Sequence, residues 1–300
     1  MSIRASLISF FMRRTLKKRM AEFDDPDEVR GSTSLPGAKI PETVSVSPVH
    51  VESVQAEWIV PQGAAEGAAM LYLHGGGFVF GGLDSHRDIA CRLAQAAGVR
   101  TLLIDYRLAP EHRFPAALDD AITAYRWLLD GGQAADRLVV AGDSAGGGLS
   151  VALMTQLKSL ALPLPKAAVL MSPWVDLANT GDSMARHADL DAMLSPQALE
   201  KFASLYLDGQ DARNPLASPL YADLSGLPPI QVLVGSEEVL LSDSERLVAQ
   251  IEAAGGSADL AVWPKMPHVF PILAGVIPEG RQAVTDMSSF IRANLGVPVS

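Results

Sequence analysis

The chain has 300 residues, 48% of them hydrophobic, which is enough for one large core. Its formal net charge of −10 argues against a nucleic-acid partner, because phosphate binding needs clustered Lys and Arg. The single cysteine, Cys91, can form no internal disulfide, so the fold needs no oxidising compartment and the cytoplasm is the expected location.

The first expected element is an amphipathic helix. An apolar stretch at residues 5–12 follows Arg4 and precedes Arg13, Arg14, Lys17, Lys18 and Arg19. It is followed by no small-residue cleavage site and falls far short of the about 20 residues a spanning helix takes, so stable membrane insertion is not expected. Packing on the main domain is the favoured role for this helix; a membrane-surface or lid element is the alternative.

Strand-length apolar runs follow at residues 56–60, 70–73, 100–104, 138–141, 167–171, 230–234 and 260–262. Helix-period segments lie between them. Leu118, Ile122, Tyr125 and Leu129 share one face, with Pro115 at a plausible first-turn position, and Leu247, Val248 and Ile251 mark another. Alternating strands and helices predict an α/β fold with a mostly parallel sheet covered on both faces. The 175–227 segment is too long for an ordinary connection and carries a helical stretch at 196–207, so it reads as an inserted subdomain. The expected organisation is residues 1–45 as the N-terminal part of a cap, 175–227 as its inserted part, and 46–174 with 228–300 as the core.

Two motifs carry chemistry. Gly142-Asp143-Ser144-Ala145-Gly146 follows an apolar strand and precedes a helix-prone stretch, the context in which G-x-S-x-G marks a nucleophile on a sharp turn. Flanking glycines permit the close backbone approach that exposes Ser144 Oγ. His74-Gly75-Gly76-Gly77 follows an earlier strand, and its unshielded amides suit an oxyanion hole, for which Gly76, Gly77 and the amide of Ala145 are the expected donors.

With those motifs in place, the sequence resembles the hormone-sensitive-lipase-like esterases, which include the bacterial family IV carboxylesterases. The matching blocks are residues 74–82 (HGGGFVFGG), 105–121 (DYRLAPEHRFPAALDDA), 142–147 (GDSAGG) and 172–177 (SPWVDL), and with the His268 region they span roughly residues 55–275. The resemblance implies an eight-stranded α/β-hydrolase core under a helical cap, no cofactor, activity on esters of short to medium acyl chains, and a homodimer.

A serine hydroxyl needs a base to take its proton, and histidine suits that task near neutral pH. His50, His86 and His112 precede Ser144, against the Ser, acid, His order of this fold; His74 belongs to the glycine motif and His187 to the insertion. His268, after the last core strand, is the expected base. Family members commonly carry aspartate in a D-x-L pattern after the strand equivalent to 230–234. Here that loop reads Gly235-Ser236-Glu237-Glu238-Val239-Leu240, and aligning Leu240 with the family's leucine puts Glu238 where the aspartate stands. Asp243 is the runner-up and Glu237 a distant third. Asp243 has a competing role in the first turn of a helix opened by a Ser242-x-x-Glu245 capping box.

Phe78, Trp174, Phe202 and Met266 are the expected substrate-lining residues, with Phe80 and Tyr206 as further candidates, although such side chains more often simply fill a core. The block containing Asp105, Tyr106, Arg107, Glu111 and Arg113 reads as buried ion pairing. No metal-ligand or phosphate-binding motif is present, so no cofactor is expected. The implied function is a carboxylesterase acting on small-molecule esters. An amidase or a lipase on the same triad, and a non-catalytic ligand receptor on the same fold, are the alternatives.

Overall fold

A computed structural model describes residues 1–33 and 40–298. Eight strands form one sheet: β1 (Val44–Val51), β2 (Val54–Pro61), β3 (Ala69–Leu73), β4 (Arg100–Asp105), β5 (Leu138–Asp143), β6 (Ala167–Met171), β7 (Ile230–Gly235) and β8 (Ala258–Trp263). Their order across the sheet is β1-β2-β4-β3-β5-β6-β7-β8. Strand β2 runs antiparallel to β1 and β4, and the remaining pairs are parallel. The α/β-hydrolase architecture expected from the sequence is therefore observed.

The side-chain alternation of a strand decides what covers each face. In β3, Leu71 and Leu73 join a core that includes α4 (Ala116–Asp130) and α5 (Ala145–Ser159). Met70 and Tyr72 point the other way, into a core with α3 (Leu83–Ala97) and α9 (Pro278–Leu295). On the α5 side, α8 (Leu241–Ala253) packs Leu247, Val248 and Ile251 against β6 and β7. Strands β3, β5 and β6 are buried along their whole length, which is why they read as continuous apolar runs. Cys91 is buried in α3.

Four more α-helices lie among the described residues: α1 (Ile3–Glu22), α2 (Pro26–Thr33), α6 (Ser183–Arg186) and α7 (Pro196–Leu207). Helix α1 is anchored through Arg13, which donates to Leu190 O, and Lys17, which donates to Asp191 O at 2.8 Å. The Phe23 ring, just past α1, stacks on Phe202 of α7 with centroids 5.6 Å apart.

Several expectations need correction. Strand β1 begins at Val44 and includes Pro48, so residues 44 and 45 belong to the sheet; half-exposed on the sheet edge, it carries no continuous apolar run. At the other boundary, Leu220, Leu224 and Leu227 pack with β6, β7 and α8, so the end of the 175–227 segment is core. Pro115 is the residue before α4 rather than part of its first turn. Of the polar block, Arg107 does pair with buried Asp120, but Glu111 pairs with Arg30 and Arg113 with Asp208 at the surface. Residues 34–39 of the expected N-terminal cap segment, and 299–300 of the core, lie outside the described residues.

Candidate active site

Ser144 stands between the end of β5 and the start of α5 with φ of 52° and ψ of −121°, a strained conformation for a residue with a side chain. The surroundings leave no slack for it to relax. Ser144 N donates to Met171 O at 2.8 Å, and its own carbonyl accepts from Trp174 N at 2.9 Å. A Cβ on Gly146 would sit 2.1 Å from Leu73 O, and one on Gly142 would sit 2.4 Å from Gly146 O, so the two glycines are what permit the turn.

The hydroxyl thus projected meets a chain of polar contacts. Ser144 Oγ lies 2.9 Å from His268 Nε2, and His268 Nδ1 lies 2.7 Å from Glu238 Oε2. All three residues are buried. The other carboxylate oxygen, Glu238 Oε1, accepts from Ser172 Oγ at 2.7 Å and from Gly235 N. The extra methylene of glutamate is therefore absorbed by folding the side chain back onto the Gly235 amide at the end of β7. Only glycine fits at 235, since a Cβ there would stand 2.0 Å from Met266 O and 3.0 Å from Glu238 Oε1. Ser172 Oγ also accepts from Val269 N at 3.1 Å and so joins the acid to the histidine loop.

Burial alone would lower the His268 pKa, but the hydrogen bond and negative charge of Glu238 outweigh it, and the imidazole is held above its ordinary value. Asp243 is engaged elsewhere: its Oδ2 accepts from Val175 N at 2.9 Å and Asp176 N at 3.0 Å. Burial pushes this carboxyl up to about 8, against the two amides that favour its charged form. Asp243 does lie in the first turn of α8, but the capping box is absent. Helix α8 starts at Leu241, and Ser242 Oγ reaches across to accept from Ser183 N at 3.0 Å. Glu237 is half-buried beside Glu238.

Among the described residues, the amides of Gly76, Gly77 and Ala145 donate to no protein acceptor. Gly76 has φ of 120° and Gly77 φ of 61°. The loop carrying them is braced from behind by Asp143, whose Oδ1 accepts from Gly75 N at 3.1 Å and Tyr72 Oη at 2.8 Å. Burial would raise the Asp143 carboxyl, but neighbouring His86 and the hydroxyl of Tyr72 hold it below the ordinary carboxylate value. His74 stacks on Tyr106 at 4.1 Å, and burial holds its pKa down to about 3, so it is a neutral packing element.

Ser144, His268, Gly76 and Gly77 face a cavity of about 210 Å³. Met12 and Leu16 of α1, Met193 and Leu194 of the inserted segment, and Leu199 and Phe202 of α7 supply much of its apolar wall. Of the four residues expected to meet substrate, Phe202 lines this cavity. Phe78, Trp174 and Met266 do not: Phe78 stacks on Tyr206 at 3.9 Å, Trp174 is fully buried with its Nε1 donating to Asn179, and Met266 packs in the core against α9. Phe80, the lesser candidate, does line it, and Tyr206 does not. Sequence reasoning missed Met12, Leu16, Ser172 and Asp191. Ser172 had one visible signal, as the opening residue of the SPWVDL block. Among the described residues, no cluster of three or more His, Cys, Asp or Glu side chains is arranged to hold a metal.

Against this geometry, comparison with known proteins gives a consistent answer. A family model described as alpha/beta hydrolase fold matches residues 70–272. An acetyl-hydrolase of Streptomyces hygroscopicus is 40% identical over 281 residues, covering 94% of this chain and 91% of its own. The crystal structure of an esterase from the bacterial hormone-sensitive lipase family superposes with a TM-score of 0.93 at 41% identity, covering 99% of each chain. The chain belongs to the hormone-sensitive-lipase-like esterases of the α/β-hydrolase fold. A further esterase structure, EstE5 soaked by p-nitrophenyl butyrate, has a TM-score of 0.94 at 39% identity and covers 99% of this chain and 100% of its own. This esterase is accordingly a carboxylic ester hydrolase. Among its described residues, no helix is long and apolar enough to cross a membrane.

Proposed function

We propose that the enzyme hydrolyses esters of short to medium acyl chains through an acyl-enzyme on Ser144, with His268 as general base and Glu238 as the triad acid. The observation that carries this reading is the continuous Ser144–His268–Glu238 hydrogen-bonded chain opening on an apolar cavity. Ser144 Oγ attacks the ester carbonyl carbon while His268 Nε2 takes its proton, and the amides of Gly76, Gly77 and Ala145 receive the oxyanion. The same imidazole then protonates the departing alcohol. Water, deprotonated by His268 in turn, cleaves the acyl-enzyme and restores the serine. Glu238 accepts the Nδ1 proton's hydrogen bond, fixing the tautomer and stabilising the imidazolium.

In this reading α1, α2 and the first part of the 175–227 segment form the cap. A cavity of about 210 Å³ walled by Phe202 and Leu199 suits small acyl groups, and a butyrate ester soaked into the EstE5 neighbour is in keeping with that. The single buried cysteine supports a cytoplasmic location, and the family likeness supports a homodimer. A small-molecule ester is the proposed partner, with no role for nucleic acid.

The test is hydrolysis of p-nitrophenyl esters from acetate to palmitate by native protein and by Ser144→Ala. The expected result is an optimum at short to medium length and loss of turnover by roughly 10³-fold or more in the variant. Retained turnover in Ser144→Ala would overturn the assignment.

A further inference from the structure

Helix α1 carries two apolar stripes. Ala5, Met12, Leu16 and Met20 face inward, where Ala5 and Met20 are buried and Met12 and Leu16 line the cavity. A surface helix of a water-soluble domain needs only that one. On the opposite side Ile3, Leu7, Phe10 and Phe11, at i, i+4, i+7 and i+8, are 81%, 54%, 49% and 61% exposed. The outer stripe continues into charge, because Arg14 and Lys18 follow it on the same face.

These residues are part of a larger concentration. Met1 and the four outer residues of α1 are half of the ten large hydrophobic side chains that stand exposed among the described residues. Two others adjoin the helix: Val276, whose carbonyl accepts from Arg4, and Leu190, whose carbonyl accepts from Arg13. The charge of the helix also runs against that of the protein. Residues 3–22 hold six Arg or Lys and one acidic residue, Glu22, in a chain of net charge −10. Apolar side chains flanked by cations, on a helix lying flat on the domain, match the chemistry of an anionic lipid–water interface.

We propose that the outer face of α1 docks the protein on an anionic phospholipid bilayer, with Leu7, Phe10 and Phe11 entering the headgroup boundary and Arg4, Arg14 and Lys18 meeting lipid phosphates. The opposite face of the same helix walls the cavity. Docking would therefore hold that cavity within one helix diameter of the bilayer, close to esters that partition into lipid. The binding itself does not depend on the proposed catalytic roles.

The experiment is co-sedimentation of the full chain with vesicles of equal parts phosphatidylglycerol and phosphatidylcholine, and with vesicles of phosphatidylcholine alone. Native protein should pellet with the first and not the second, and added salt should release it. The double substitution Leu7→Asp with Phe11→Asp should weaken partitioning at least about tenfold. It should leave turnover of a soluble short-chain ester unchanged, which verifies that the variant is folded. Equal pelleting of variant and native protein, or no pelleting of native protein with anionic vesicles, overturns the proposal. So does a lipid-free dimer in sedimentation velocity that the double substitution dissolves, because the face would then be an interface between two copies of the chain.

Discussion

Glu238 illustrates how one methylene is accommodated without loss of geometry. The carboxylate receives donors from Ser172, Gly235 and His268, and its backbone carbonyl lies 2.9 Å from His187 Nδ1 in the inserted segment. Glu238→Gln removes the charge that holds the His268 pKa above 6.5 and leaves the burial that lowers it. In the native enzyme kcat/KM is expected to rise with pH through a midpoint above that value, as the imidazole sheds its proton. In Glu238→Gln the limb should move to lower pH and kcat should fall by roughly 10²–10⁴-fold. A pH–rate profile whose acid limb stays in place would contradict this account. Asp243→Asn should leave kcat near native, because the Asp243 carboxylate faces Val175 and Asp176 instead of the histidine. Ser144 and His268 are legible in the sequence because motif and chain order point to them. Glu238 is legible only through the family resemblance, with Leu240 aligned on the leucine of the D-x-L pattern. Ser172 and Met12 are not, since each reaches the site only through contacts between segments far apart along the chain.

Among the elements, the tie between the inserted segment and the acid-bearing loop is the least visible in sequence and the easiest to test. Buried Asp191 accepts from Met193 N at 2.8 Å and Leu194 N at 2.9 Å with one oxygen, and from Val239 N at 2.9 Å with the other. One carboxylate thus shapes the cavity wall and fixes the residue after Glu238. Asp191→Ala strands three backbone donors and should cost about 3 kcal/mol of folding stability in urea unfolding. It should also lower kcat more than it raises KM, since the acid loop loosens. Stability and kcat both within error of native would remove Asp191 from this role. The glycines of the proposed oxyanion loop give a second test. A Cβ on Gly77 would lie 2.8 Å from the Phe202 ring at a φ of 61°. Gly77→Ala should displace either the amide or Phe202 and lower kcat by roughly 10²-fold in ester hydrolysis assays. Central strands were readable because burial on both faces leaves an unbroken apolar run. Strand β1 was not, because it offers no continuous apolar run and its Val/Ser and Val/His alternation changes phase at Pro48.

Over the whole molecule, folding stability should depend on pH through buried carboxyls whose partners were unreadable in sequence. Asp243 is fully buried beside Asp176 and Arg246 and titrates near 8 when folded. Unfolded, an aspartate titrates at about 4, so between the two values the unfolded chain is the more readily ionised state. Its contribution to stability is complete below about 4 and is lost as pH rises toward 8. Asp243→Asn should shift the slope of stability against pH upward from about pH 5 to 6.5, where His74, held neutral by burial, supplies an opposing rise in both proteins and the imidazole of His268 adds little. Urea unfolding across pH measures it, and an unchanged slope would mean that Asp243 is charged in the folded state. The hydrolase core was legible from alternation, and an insertion from the length of residues 175–227. How α1 and α7 meet over the cavity was not, because helix periodicity gives a buried face without naming what it is buried against.

The lone cysteine has a practical consequence. Burial pushes the Cys91 thiol up to about 11, so at neutral pH it offers almost no thiolate to an electrophile. The folded protein is in effect a thiol-silent background. A single Phe11→Cys substitution on the outer face of α1 would then be the one site taking a maleimide fluorophore, reporting the polarity around that helix in water or against lipid.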